Sequence, residues 1–309
     1  MKILVLGAGA IGGYFGGRLV EGGADVTFLV RPARRAQLQR DGLRIESTLG
    51  RFGRPVHAVL ADSLAPVYDV VLLTCKAYDL DSALEAMAPG VGPQTSIVPL
   101  LNGLAHLERL DERFGRQQVM GGTCTIDSTL AKDGTVHHGG TLQRLVFGER
   151  DGGTSPRAEA FCAALAETTI DWSRADDILQ TMWDKLVFLS ALAQMTCLFR
   201  ANVREIMAAP GGREAMERAL AANAEVARGE GYPPTAAGLE FARARLTDST
   251  GPWSASMLRD LEAGGRTEAD HIVGWMLKKA RAHGVDETLL SLAYTHLKSF
   301  EARRDAGRL

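Results

Sequence analysis

The 309-residue chain carries 35 Lys and Arg against 37 Asp and Glu, a net charge of −2, so no polybasic surface points to nucleic acid or to an anionic membrane. Its four cysteines (Cys75, Cys124, Cys162 and Cys197) form no C-x-x-C pair and lie in apolar segments. That pattern fits free buried thiols in a reducing cytoplasm rather than a disulfide framework or a zinc site. The length allows one or two domains with a large core.

Lys2–Leu6 is a short apolar run of the kind that forms a buried parallel strand. The sequence G-A-G-A-I-G follows at once: Gly7, Ala8, Gly9, Ala10, Ile11 and Gly12, leading into a predicted helix through about Leu19. Gly7 suits the tight turn, Gly9 lets backbone approach a pyrophosphate, and Gly12 lets helix and strand pack closely. The helix start then offers unpaired N–H groups and partial positive charge to phosphates. A lone glycine pattern is weak, but here a strand precedes it, a helix follows, and a second strand over residues 25–30 arrives on schedule. Glycine turns and an early Glu21 speak against a secretory signal.

The second strand bears on which dinucleotide binds. NAD sites usually carry an acidic residue near this strand's end for the ribose 2′-hydroxyl. This strand offers Arg31 there instead, with Arg34 and Arg35 behind it, and Asp25 falls too early. A guanidinium suits a 2′-phosphate through paired hydrogen bonds, so the expected cofactor is NADPH. For Arg34 and Arg35 a solvated helix start is the plainer expectation.

A charged helix is expected over residues 33–41, then strand-like segments at 43–46 and 56–60 and a buried strand at 69–74 that ends in Cys75-Lys76-Ala77. A helix over 79–88 and a strand over 96–100 follow, the latter ending in Leu101-Asn102-Gly103. Ligands in open α/β sheets sit outside the carboxyl ends of the strands, which makes Lys76 and Asn102 candidates to face cofactor or substrate. Further strands are expected at 119–126, 135–138, 144–148 and 169–172, some of them antiparallel additions. His137 and His138 have no third ligand at suitable spacing and alternate faces, so they read as ordinary strand residues.

From about residue 174 the texture becomes helical, over 175–198, 212–230, 235–246, 254–262, 267–283 and 288–304, punctuated by Gly and Pro. The uncharged run 186–199 is too short to span a bilayer and reads as a core helix. The fold class expected is α/β: a Rossmann-type doubly wound sheet over residues 1–173, then an all-helical domain over 174–309, with the active site in the cleft between them. In the second half Lys185 begins the uncharged run, where it either snorkels to the surface or faces a cleft. Ser256 lies in the first turn of a short helix. Thr267 and Asp270 approximate a capping box, with Glu268 in the first turn. Each of the last two features could be capping alone.

These pieces together resemble the ketopantoate reductase (2-dehydropantoate 2-reductase) family over essentially the full length. The matching motifs are G-A-G-A-I-G, Val30-Arg31, Cys75-Lys76-Ala77, Leu101-Asn102-Gly103, Trp183-Asp184-Lys185-Leu186, Ser256-Met257-Leu258-x-Asp260 and Thr267-Glu268-x-Asp270. The resemblance implies reduction of a small-molecule 2-oxo acid, ketopantoate in the family, to its 2-hydroxy acid by NADPH, in pantothenate synthesis. By the same resemblance Lys185 is the general acid and Glu268 orients substrate or lysine. Ser256 binds the substrate, Asn102 bridges ribose and substrate, and Lys76 and Arg31 serve the cofactor. A cytoplasmic enzyme is expected, with neither nucleic acid nor membrane as partner, and a homodimer is compatible with it.

One departure stands out. The family commonly places asparagines four and eight residues after the lysine, where this chain has Leu189 and Ala193. Ser190, Gln194 or Asn202 could compensate. The alternatives are therefore a reductase of a more apolar 2-oxo acid and a non-catalytic NADPH-binding regulator. Retention of Lys185, Asn102, Ser256 and Glu268 argues against the regulator. A β-hydroxyacid dehydrogenase would usually carry asparagine where Leu189 stands.

Overall fold

A computed structural model describes all residues, 1–309. The chain divides into two compact units, Met1–Leu101 with His106–Ile178, and Asn102–Ala105 with Leu179–Leu309. The sequence expectation put the division at 173/174; here the short segment starting at Asn102 groups with the helical part.

In the first unit the elements run β1 (Lys2–Leu6), α1 (Ala10–Glu21), β2 (Asp25–Leu29), α2 (Pro32–Asp41), β3 (Leu43–Ser47), β4 (Phe52–Arg54) and β5 (His57–Val59). They continue with β6 (Val70–Leu73), α3 (Leu80–Met87), β7 (Ser96–Pro99), α4 (Ala105–Phe114), β8 (Gly121–Leu130), β9 (Thr135–Gly148), α5 (Pro156–Ala166) and β10 (Asp171–Arg174). The first sheet is wholly parallel in the order β5-β2-β1-β6-β7, with Leu4 registered against Thr27 on one side and Val71 on the other. Apart from the exposed Lys2 that opens β1, strands β1, β6 and β7 are buried throughout, as expected where both faces of a parallel sheet are covered. A second sheet runs β10-β9-β3-β4, with β8 antiparallel to β9. Tyr14 and Phe15 of α1, Phe28 of β2, Ile45 of β3, Phe147 of β9 and Phe161 of α5 belong to one apolar core cluster of this unit.

Two expected strands, 135–138 and 144–148, are one 14-residue strand, because β9 pairs with β3 at one end and β10 at the other. Helices α4 and α5 were not anticipated. The second starts on a plain local signal, Ser155 accepting from the Ala158 amide at 3.2 Å with Pro156 as first residue.

The second unit contains α6 (Ile178–Phe199), α7 (Val203–Ala208), α8 (Gly212–Gly229), α9 (Ala236–Leu246), α10 (Ser256–Glu262), α11 (Trp275–His283) and α12 (Thr288–Asp305). At 22 residues α6 is long and apolar enough to cross a bilayer, longer than the 14-residue run suggested, but 67% of that window is buried within the protein. It is a core helix. The expected single helix over 267–283 is instead a π turn, Asp270–Gly274, feeding α11, with the Gly274 amide donating to the Ala269 carbonyl at 2.8 Å. Thr267 caps nothing: its hydroxyl donates to Glu301 Oε1 at 2.6 Å. The Glu268 carbonyl accepts from the amides of His271 (3.2 Å) and Ile272 (3.1 Å), so Glu268 precedes the helical residues rather than lying in their first turn.

Candidate functional site

The dinucleotide turn is built by close approach. A Cβ on Gly12 would lie 2.1 Å from the Gly7 carbonyl oxygen and 2.3 Å from Thr74 Oγ1, and Gly7 itself has φ +95°. No side chain but hydrogen could occupy Gly12, and Thr74 reinforces the turn by donating to the Leu6 carbonyl at 2.7 Å. Above Gly9 the space is open: a Cβ there would meet nothing within 4 Å, so backbone is presented to whatever approaches. Gly9 is the N-cap of α1, with no side-chain cap and no acidic residue in the first turn. Uncapped amides and an unneutralised dipole are what a pyrophosphate requires, so residues Gly7 to Gly12 fit a dinucleotide.

Arg31 follows β2, extended and 74% exposed in its side chain, with Arg31 NH2 3.2 Å from Asp79 Oδ2. A solvent-exposed pair of this kind is worth about 0–1 kcal/mol, so a dianionic phosphate competes readily for the guanidinium. Arg34 differs from the solvated expectation. It is half-buried, its Nε donates to the Ala8 carbonyl at 3.0 Å, and NH1 donates to Gly134 O (3.0 Å) and Gln37 Oε1 (2.7 Å). Burial, with the nearby Arg44 charge, lowers its pKa from the usual guanidinium value. Arg34 thus braces the glycine turn from below, a role its sequence position gave no sign of. Lys76 stands three residues past the end of β6, at the start of the short turn Ala77–Asp79 that carries Asp79.

In the second unit three successive residues of α6 point three ways, as the helix rotation of about 100° per residue requires. Trp183 lies stacked on Tyr232 with ring centroids 5.9 Å apart, and 5.5 Å from the ring of Trp275. Asp184 accepts from the Thr235 amide at 3.0 Å and its hydroxyl at 2.5 Å, which ties the start of α9 to α6. Lys185 Nζ donates to Asn102 Oδ1 at 3.3 Å. The structure therefore brings together two residues that are 83 positions apart and were singled out separately. An amide oxygen can only accept, so the amine is the donor of this pair.

Ser256 is the first residue of α10, partly accessible, with Ala255 as N-cap. Glu268 is 4% exposed, a buried carboxylate beside the π turn. Leu189 is partly accessible, whereas Ala193 is fully buried, so of the two only Leu189 presents surface to a ligand. Relative to Lys185, Leu189 and Ala193 are rotated by about 40° and 80°, while Ser190 and Gln194 are rotated by about 140° and 180°. Ser190 and Gln194 are fully buried on the far side of α6 and cannot replace asparagines on the lysine face. Asn202 is engaged as the N-cap of α7, accepting from the Glu205 amide at 3.0 Å in a capping box.

The first unit holds an open glycine turn at an uncapped helix start, and the second holds a lysine hydrogen-bonded to an amide oxygen. Comparison with known proteins gives the family. The model described as ketopantoate reductase PanE/ApbA matches residues 3–152, and its C-terminal companion matches 177–301. The uncharacterized oxidoreductase YkpB of Bacillus subtilis is 37% identical over 98% of this chain and 100% of its own length. The 2-dehydropantoate 2-reductase of Halobacterium salinarum is 29% identical over 92% of this chain and 94% of its own. Among solved structures, 2-dehydropantoate 2-reductase from Geobacter metallireducens superposes with a TM-score of 0.87 at 27% identity, covering 97% of this chain and 99% of that one. D-mandelate dehydrogenase, with NADH and anilino(oxo)acetate, shares the fold with a TM-score of 0.87 at 20% identity, covering 99% and 100%. The chain belongs to the ketopantoate reductase family and is an oxidoreductase acting on 2-oxo acids.

Proposed function

We propose that the protein is a cytoplasmic, NADPH-dependent reductase of 2-oxo acids with branched, apolar tails, and that ketopantoate is a poorer substrate for it than for asparagine-bearing relatives. The observation that carries this reading is the Lys185–Asn102 pair together with the hydrocarbon next to it, Leu189, on the same helix face. Gly7 to Gly12 and Arg31, with Lys76 at the neighbouring strand end, would hold NADPH, which when bound would supply the hydride. Lys185 stabilises negative charge growing on the keto oxygen and donates the proton that makes it a hydroxyl. Asn102 holds Lys185 in place for that transfer. Ser256, at a helix start, binds the carboxylate or a hydroxyl of the substrate, and Glu268 orients the substrate or Lys185.

The choice of NADPH over NADH rests on Arg31 and on the lack of an acidic residue at the end of β2. The fold itself accommodates a bulky oxo acid, since D-mandelate dehydrogenase is described with anilino(oxo)acetate. A second reading, reduction of ketopantoate itself for pantothenate synthesis, is favoured by the relatives named 2-dehydropantoate 2-reductase. A panel of 2-oxo acids, followed by loss of NADPH absorbance and identification of the 2-hydroxy acid, tests the reading. Turnover of branched apolar members is expected, and a panel without any turnover overturns it.

A further inference from the structure

The residues on both sides of Glu268 are tied to one face of α12. Thr267 Oγ1 donates to Glu301 Oε1 at 2.6 Å, and Lys298 Nζ donates to Glu301 Oε2 at 2.6 Å. Lys298 also donates to Asp270 Oδ2 at 3.1 Å, and the Tyr294 hydroxyl donates to Asp270 Oδ1 at 2.6 Å. Arg304 NH1 adds a bond to the Gly265 carbonyl at 3.0 Å. Tyr294, Lys298 and Glu301 follow one another at spacings of four and three, which places them on one helical stripe. The chain Thr267–Glu301–Lys298–Asp270–Tyr294 thus brackets Glu268 from the residue before it to the second residue after it.

The links differ in strength. Thr267 is 5% exposed and the Glu301 side chain 14%, whereas Asp270 and Lys298 are 53% and 41% exposed. Exposed ion pairs are screened and add little to stability, so the buried Thr267–Glu301 bond is the firm anchor. Burial alone would raise the Asp270 carboxyl, but the hydrogen bonds from Tyr294 and Lys298 hold it below its usual range. Tyr294 also grips the π turn at its far end. A Cβ on Gly274 would lie 2.7 Å from Tyr294 Cε2, so the ring rests directly on that backbone. The same turn presents the His271 carbonyl to Gly103, where a Cβ would sit 3.1 Å away, and Gly103 follows Asn102, the partner of Lys185. Contact is continuous from α12 through the π turn to the proton donor.

We propose that Glu301, supported by Lys298 and Tyr294, is a positioning residue for the reaction. It fixes the segment 265–274 so that the Glu268 carboxylate and the backbone behind Asn102 keep their places. The proposal rests on the part given to Glu268 and Lys185 above. Glu301 touches no reacting atom and acts through Thr267.

The test is a double-mutant cycle with Glu301→Ala and Thr267→Val, measured as kcat and KM on a branched 2-oxo acid with NADPH binding measured separately. Glu301→Ala is expected to lower kcat by about 10- to 100-fold, the range expected for a misplaced group, with NADPH affinity unchanged. Glu301→Gln keeps an oxygen for Thr267 and should recover most of the loss. The double variant should be no slower than the slower single one, because both remove the same link. Unchanged kcat in Glu301→Ala, or losses that multiply in the double variant, would overturn the proposal. Should Glu301→Ala not fold, Tyr294→Phe removes a single oxygen and should still lower kcat; full activity in that variant overturns the role of the network. Amide exchange over residues 267–274 separates this proposal from the functional reading. It should quicken in Tyr294→Phe, and in Glu301→Ala where that variant folds, while Glu301→Gln stays close to the unaltered protein, even if the unaltered protein reduced no 2-oxo acid; unchanged exchange in Tyr294→Phe would refute the positioning role by itself.

Discussion

The two units do their work with different parts of the chain. In the first, function is carried by backbone: an absent Cβ at Gly12, an open approach at Gly9, an uncapped helix start. In the second, on the reading proposed above, it falls to side chains, Lys185, Asn102 and the buried Glu268, whose placement depends on partners far away in sequence. Backbone recognition of a pyrophosphate tolerates almost any sequence around the glycines, so the cofactor half can stay fixed while the substrate half changes. Leu189 shows that change. Lys185 is present, and where the resemblance places an asparagine one turn later the chain has hydrocarbon.

Substitutions that act on one unit alone can break this division. The largest effect is expected from Lys185→Ala, which should cut kcat by roughly 10²-fold or more while leaving NADPH binding intact. Near-normal turnover of the folded variant would remove Lys185 from the reaction, and loss of NADPH affinity would deny the separation of roles. Next comes Leu189→Asn, which returns a hydrogen-bonding group to the partly accessible position of the pair. It should move the ratio of kcat/KM toward ketopantoate by roughly 5- to 150-fold, the equivalent of about 1–3 kcal/mol for a buried hydroxyl given a partner. Ala193→Asn is the poorer probe, because Ala193 has no accessible surface and a larger side chain there overpacks the helix.

Arg31→Ala should weaken NADPH by about tenfold, one lost charge-assisted contact at an exposed site, and barely alter NADH. Equal use of both cofactors by the unaltered protein would sink the NADPH assignment. The smallest effect concerns the platform itself. The hydrogen bond from Arg157, aided by Ser155, holds the Glu149 carboxyl below its usual value of 4.5. A depressed folded-state pKa stabilises fully above the unfolded value, and that contribution is lost as pH falls through the folded one. Glu149→Gln should therefore cost about 1 kcal/mol near neutral pH, and the difference from wild type should shrink below about pH 4.5. Thermal melts of both proteins across the acid range would check it.

The same division explains what could be read in the sequence. The β1–α1–β2 unit was legible because its rules are local: an apolar run, three glycines, a helix, and a strand end within about 30 residues. The buried stripe of α4 (His106, Leu107, Leu110) carried a readable helical period that charged residues around it obscured. Helix α5 also carried a local sign, the Ser155-Pro156 start. The division of β9 into two expected strands came from Gly139 and Gly140, which interrupt its pattern where the pairing with β8 also shifts register, between Ile126 and Ser128, although the strand itself runs on. In the helical unit the motif residues stood out, but their partners did not. Thr267 and Asp270 look like a capping box until α12, some 30 residues later in the chain, claims the hydroxyl of one and the carboxylate of the other. A π turn breaks the 3.6-residue period, and the ring of Tyr294 that lies against its last residue, Gly274, comes from 20 residues further along the chain.

The central claim is that a lysine-driven reductase has traded polar substrate recognition for apolar contact. The most direct measurement is kcat/KM of the unaltered protein for ketopantoate and for its 4-deoxy analogue, with saturating NADPH. The two acids differ only in the hydroxyl that asparagine is expected to meet in the family. The account predicts that the deoxy acid is used at least as well as ketopantoate. A wide preference for ketopantoate would contradict it and leave the protein a ketopantoate reductase in substrate as well as in family.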